Sequence, residues 1–295
     1  MRHHRIIWYI TGVAVWIAAL VFLVRGSGND LAESGQSPTA PQPTEGQRQL
    51  IDSMIHLLTA DPYAAQPETK TAISAAAALA GRGVLTTAET CHALGLLSMD
   101  EKRFSDAEAA FRRAIALKPD WSWPRNALGI LLANYTKDRA AEAEDAYRTA
   151  IRLDPTWSRP YNDLAILLRL TGRLGEAEEA ALTALRLDPD SVATHNNYGN
   201  LLVAQRRLSE AETEYRKAIE LDPGHPKPYY NLACVYGLED RREEALTLLE
   251  DAVTRNPDLR EDAQRDPDLA TLRNDPRFQK LTRLEARGGE AGAIH

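Results

Sequence analysis

AIALKPD at 114–120, AIRLDPT at 150–156, ALRLDPD at 184–190 and AIELDPG at 218–224 are four copies of one phrase, and AVTRNPD at 252–258 is a fifth, more divergent copy. Their prolines, Pro119, Pro155, Pro189, Pro223 and Pro257, stand 36, 34, 34 and 34 residues apart. That period is the length of one helical hairpin repeated along an axis. A residue before proline is pushed out of the α region, and proline cannot donate the next helical hydrogen bond, so each phrase ends a helix.

Other residues keep the same register. Twelve positions before each proline stand Ala107, Ala143, Ala177, Ala211 and Ala245, and five before stand Ala114, Ala150, Ala184, Ala218 and Ala252. Further upstream, allowing two extra residues in the second repeat, come Gly95, Gly129, Ala165, Gly199 and Ala233. Bulky partners accompany them: Leu94, Leu128, Leu164, Tyr198 and Leu232 on the first helix, and Phe111, Tyr147, Ala181, Tyr215 and Leu249 on the second. Large facing small is what an interdigitated helix pair needs, because protein interiors pack to crystal-like density. Hairpin turns are expected at 100–104, 134–139, 171–174, 205–208 and 239–242, with the two-residue insertion in the second of these.

The pattern resembles the tetratricopeptide repeat. The resemblance implies an all-α fold, a right-handed α-solenoid of stacked hairpins, with five units over residues 88–257. It departs from the family pattern at Ala181, where a large aromatic is usual, and on the second helix of the fifth unit. A stack leaves an apolar face open at each end. Residues 258–286, with Leu269, Leu272, Phe278, Leu281 and Leu284, read as capping helices starting near Pro267 and Pro276. At the other end, residues 47–87 read as helical and as a possible degenerate repeat, while 287–295 have nothing to pack and read as a disordered tail.

Residues 6–24, IIWYITGVAVWIAALVFLV, contain no charge. As a helix they span about 28 Å, enough for a hydrocarbon core of roughly 30 Å, so residues 1–25 read as an N-terminal transmembrane signal-anchor. Arg2 and Arg5 precede the run and Arg25 stands alone after it until Arg48. The positive-inside rule then places the N-terminus in the cytoplasm and the repeats outside it, periplasmic in a Gram-negative cell. No small-x-small cleavage site is evident and no cysteine follows the run, so an uncleaved anchor is expected and a lipoprotein is not. Residues 26–46, rich in Gly, Ser, Pro, Gln and Thr, read as a disordered linker.

Composition narrows the function. There are 35 basic against 42 acidic residues, a net charge of −7, and no basic stripe, which argues against nucleic acid. HExxH, GxSxG, a GK[ST] phosphate loop, CxxCH and the EF-hand loop are all missing, so neither catalysis, a cofactor, a metal nor a small-molecule substrate is expected. Cys91 and Cys234 lie too many repeats apart to pair and read as buried or groove-lining thiols.

The family resemblance implies that ligands meet positions 2, 5, 9, 12 and 13 of each first helix. With repeats starting at Ala88, Ser122, Ser158, Val192 and Pro226, the fifth positions are His92, Asn126, Asn162, Asn196 and Tyr230. Trp123, Arg159 and Lys227 fall on second positions and Asn200 on a ninth. A primary amide donates and accepts, so a row of asparagines is suited to holding the backbone of an extended peptide. The expected function is a membrane-anchored scaffold that binds a protein or peptide client through its concave groove and assists assembly of an envelope or secreted complex. The alternative is a regulatory or substrate-presenting subunit of a separate enzyme, such as a glycosyltransferase or protease.

Overall fold

The computed structural model describes residues 87–136 and 138–283. The expected membrane helix, linker, degenerate repeat and tail lie outside these residues. Two compact units divide the chain, one ending at Pro155 and the other beginning at Thr156.

The first unit holds two hairpins: α1 (Ala88–Asp100) with α2 (Phe104–Leu117), and α3 (Ser122–Tyr135) with α4 (Ala140–Leu153). The second holds three: α5 (Ser158–Leu170) with α6 (Leu174–Leu187), α7 (Val192–Ala204) with α8 (Leu208–Leu221), and α9 (Pro226–Leu238) with α10 (Arg242–Arg255). It is closed by α11 (Leu259–Arg265), a 3-10 turn (Pro267–Leu272) and α12 (Pro276–Thr282). Within each unit every first helix packs on its own second helix and on the first helix of the next hairpin.

The second helices end as the prolines require. Lys118, Asp154, Asp188, Asp222 and Asn256 share φ near −140° with ψ between 81° and 99°, clear of the α region that a following proline disfavours. Each hairpin turn places one residue in the left-handed region, and these residues keep the repeat register: Lys102, Asp138, Gly172, Arg206 and Asp240. Only Gly172 takes that conformation without a Cβ penalty. The last two cap elements start on aspartates that accept backbone N–H bonds, Asp266 from Asp268 at 2.9 Å and Asp275 from Arg277 at 2.7 Å.

The core sits where large meets small. The alanines twelve and five residues before each proline are fully buried. A Cβ built on Gly129 or Gly199 would stand 2.5 Å from the ring of Tyr147 or Tyr215, and one on Gly95 would strike Phe111. Where the aromatic is missing, the glycine is missing too: Ala165 accompanies Ala181, and Ala233 accompanies Leu249. At the end of the second unit, a Cβ on Gly237 would stand 2.6 Å from the carbonyl oxygen of Asp268, so glycine lets the cap backbone seat on α9.

Charge stitches successive hairpins within each unit. Arg207 at the α7–α8 turn donates to Glu210 ahead of it and to Glu178 on α6 at 2.6 Å, and Arg241 repeats this with Glu244 and with Glu212 on α8. In the first unit Arg139 bonds Glu142 and both oxygens of Glu108 on α2. The bonds from Arg139 hold the Glu108 carboxyl down at about 2, and Arg207 lowers Glu178.

Candidate functional site

In the first unit, His92 is buried between the rings of Phe111 and Trp121, with centroids 5.6 and 5.1 Å away. Among the described residues neither ring nitrogen has a hydrogen-bond partner, and burial lowers its pKa to about 3, so the imidazole is neutral at pH 7. Trp123 is half-buried and tilted against Trp121 at 5.9 Å, while Asn126 is 2% exposed. On the second-helix side an open cleft of about 600 Å³ runs between α2, α3 and α4, with Arg112, Arg125, Leu128 and Asp145 among its lining residues.

In the second unit the fifth-position row is also buried, with Asn162 at 8% and Asn196 at 6% exposure. Their carbonyls are not open to a ligand. Asn197 donates to Asn162 Oδ1 at 3.0 Å, and Asn231 donates to Asn196 Oδ1 at 2.8 Å. Tyr230 continues the series into the cap by donating to Asp266 at 2.8 Å. In place of an exposed row of amides at the fifth positions there is a two-tier arrangement. The inner amide is engaged by the neighbouring repeat because it lies where adjacent first helices touch. One residue further round each helix, Asn197 and Asn231 are half-buried, each spending one amide hydrogen on the inner tier. An amide has two hydrogens and an acceptor oxygen, so each keeps a carbonyl and an N–H for a ligand.

Around this ladder, Asn200 is half-buried and accepts from the Tyr215 hydroxyl at 2.8 Å. Arg159 is half-buried with Asp163 at 3.9 Å, and Lys227 is exposed. Cys234 is buried and donates to Asp266 at 3.5 Å. Burial raises the pKa of both Cys234 and Cys91, which keeps them as protonated thiols at neutral pH. His195 is a structural residue: its Nε2 donates to the Pro189 carbonyl and its Nδ1 meets Glu214 at 2.6 Å, with Glu214 raising its pKa. Among the described residues no group of His, Cys, Asp or Glu is placed to hold a metal, and no helix is long and apolar enough to cross a membrane.

Sequence reasoning missed Asn197 and Asn231. Their signal is a 34-residue repetition of asparagine at the sixth position, one step from the fifth-position row.

Hairpins of this length, stacked through small-against-large contacts, form a scaffold fold suited to binding proteins or peptides. The comparisons agree on the class. Profiles described as tetratricopeptide repeat match residues 88–121, 162–226 and 202–275. The chain belongs to the tetratricopeptide-repeat family. No curated protein matches it. Among solved structures, the Cut9–Hcn1 hetero-tetramer of the APC/C is similar at 16% identity with TM-score 0.59, covering 80% of this chain and 52% of that one. TTC0263 from Thermus thermophilus, a thermophilic protein of the same repeat class, is 20% identical with TM-score 0.52, covering 66% and 98%. Pseudomonas aeruginosa PilF is 18% identical with TM-score 0.50, covering 62% and 94%. At these identities the likeness extends to the fold alone.

Proposed function

We propose that this chain is a membrane-anchored scaffold whose first-helix face holds a protein or peptide client during assembly of an envelope or secreted complex. The observation that carries the binding reading is the outer amide tier. Asn197 and Asn231 stand one repeat apart, are fixed in orientation by Asn162 and Asn196, and keep donor and acceptor capacity. Two such groups can bond the backbone of an extended segment whatever its side chains are. Within the second unit Asn162 and Asn196 act as positioning residues, with Arg159, Asn200 and Lys227 on first helices of the same unit and Tyr230 buried beneath. In the first unit, taken by itself, Trp123 is half-buried while His92 and Asn126 are buried.

The anchoring reading rests on residues 6–24 and their flanking charges. It places the repeats on the extracytoplasmic side. Affinity capture with the full chain, comparing wild type with an Asn197→Ala/Asn231→Ala variant of equal helicity, tests the client site. A partner recovered only with wild type supports it. The same partners with both proteins would move binding off the first-helix face.

A further inference from the structure

The charges left unspent beside the asparagine ladder say what side chains a bound segment should carry. Several arginines of the second unit's turns and second helices are held by carboxylates, including Arg173, Arg207, Arg216 and Arg241. Arg169, Arg206 and Lys227 differ. Among the described residues none of the three has a side-chain hydrogen bond or an ion pair. Arg169 and Lys227 lie on the helices that carry the ladder, and Arg206 holds the left-handed position in the turn directly after α7, the helix of Asn197. Arg169 stands two turns beyond Asn162 on α5, and Lys227 stands one turn before Tyr230 on α9, spacings that share a helix face.

The acids nearby are mostly consumed. Asp163 takes the Asn162 amide and lies 3.9 Å from Arg159. Asp266 takes the Tyr230 hydroxyl, the Cys234 thiol and the Asp268 N–H. Among the described residues Asp262 and Asp268 have no side-chain partner, and both belong to the cap at one end of the ladder. The cations extend past the cap, from Lys227 on α9 back to Arg169 on α5, in a chain whose net charge is −7. Tyr215, Tyr230 and Cys234 point their hydrogens at neighbours within the unit, whereas Asn197 and Asn231 each spend only one amide hydrogen.

We infer that the first-helix face of the second unit takes an acidic segment: an extended peptide held by its backbone on Asn197 and Asn231, with Asp or Glu side chains reaching Arg169, Arg206 and Lys227. This deepens the peptide-binding reading above and rests on it. Exposed charge pairs are individually weak, so the preference should come from several together and should fade with salt.

Fluorescence anisotropy on the full-length chain tests it with three labelled peptides of one Gly/Ser/Ala frame, bearing Glu, Gln or Lys at the same positions. At low salt the Glu peptide should bind about tenfold more tightly than the Gln peptide, the sum of two or three exposed pairs, and high salt should narrow the gap. Arg169→Glu/Arg206→Glu should reverse the order in favour of the Lys peptide, while Arg169→Lys/Arg206→Lys should keep it. Equal binding of all three by wild type would overturn the acidic preference and leave the peptide groove standing. No binding of any peptide, with Asn197→Ala/Asn231→Ala equally inert, would overturn the groove itself.

Discussion

His92 is buried among rings with no partner for either nitrogen among the described residues, and its folded pKa lies near 3, below the ordinary histidine value. In the unfolded chain it takes a proton as pH falls below about 6.5, while the folded form refuses it. Its contribution is therefore intact above that pH and declines as pH falls toward 3. His195 has the opposite sign. Glu214 raises its folded pKa, so its contribution is present below the ordinary value and lost as pH rises through the folded one. Leaving a buried polar group unpaired costs roughly 1–3 kcal/mol, so His92→Leu should raise stability at neutral pH. It should also flatten the acid side of the stability profile, as followed by chemical denaturation at a series of pH values. An unchanged profile between about pH 6 and 4 would mean that the site admits the proton. Lys102 supplies a separate test, because it holds φ of 59° in an exposed turn with no gain from its side chain. Lys102→Gly should stabilise by about 0.5–1 kcal/mol, and Gly172→Ala, at φ of 80°, should destabilise by a similar amount.

At the scale of helices, the glycine and the aromatic facing it form one unit of packing. Gly199→Ala places a Cβ against the Tyr215 ring and should cost about 1–3 kcal/mol, more than the helix propensity alanine gains. Adding Tyr215→Leu should restore much of the loss, since the fifth repeat already pairs Ala233 with Leu249. Thermal melts of the single and double variants decide this. If the two losses simply add, the pair does not pack as one unit. The hairpins were legible in the sequence because proline, alanine and the glycine–aromatic contrast each act within one repeat. The turn arginines were harder to see. Arg-x-x-Glu recurs at Arg139, Arg173, Arg207 and Arg241, but charges on amphipathic helices usually mark only a solvated face. The second partners of Arg139, Arg207 and Arg241, such as Glu178 for Arg207, lie on the preceding hairpin and depend on how hairpins stack. The same limit separated the fifth-position asparagines from the sixth. One residue is a rotation of about 100° around a helix, and the neighbouring repeat decides which of the two is covered. These arginine clamps predict acid sensitivity. Bonded to arginine, Glu108 and Glu178 contribute above the ordinary carboxylate range and lose that contribution as pH falls through their lowered folded values.

At the scale of the whole chain, the position of the repeats relative to a membrane decides which clients they can meet. The proposed anchor, with the repeats outside the cytoplasm, is argued from a charge-free run of nineteen residues with Arg2 and Arg5 before it. The unspent cations beside Asn197 and Asn231 then favour clients with acidic, extended segments in that compartment. Topology is testable without knowing the client. Alkaline phosphatase fused after the last repeat should be active, because its disulfides form only in an oxidising compartment, while a fluorescent protein that matures only in the cytoplasm should stay dark at the same site. Deleting residues 1–25 should move the chain from the membrane fraction to the soluble fraction and silence the phosphatase. A bright cytoplasmic reporter on the full chain would place the groove among cytoplasmic partners and remove the envelope reading, while leaving the acidic-segment preference to be judged by its own binding experiment.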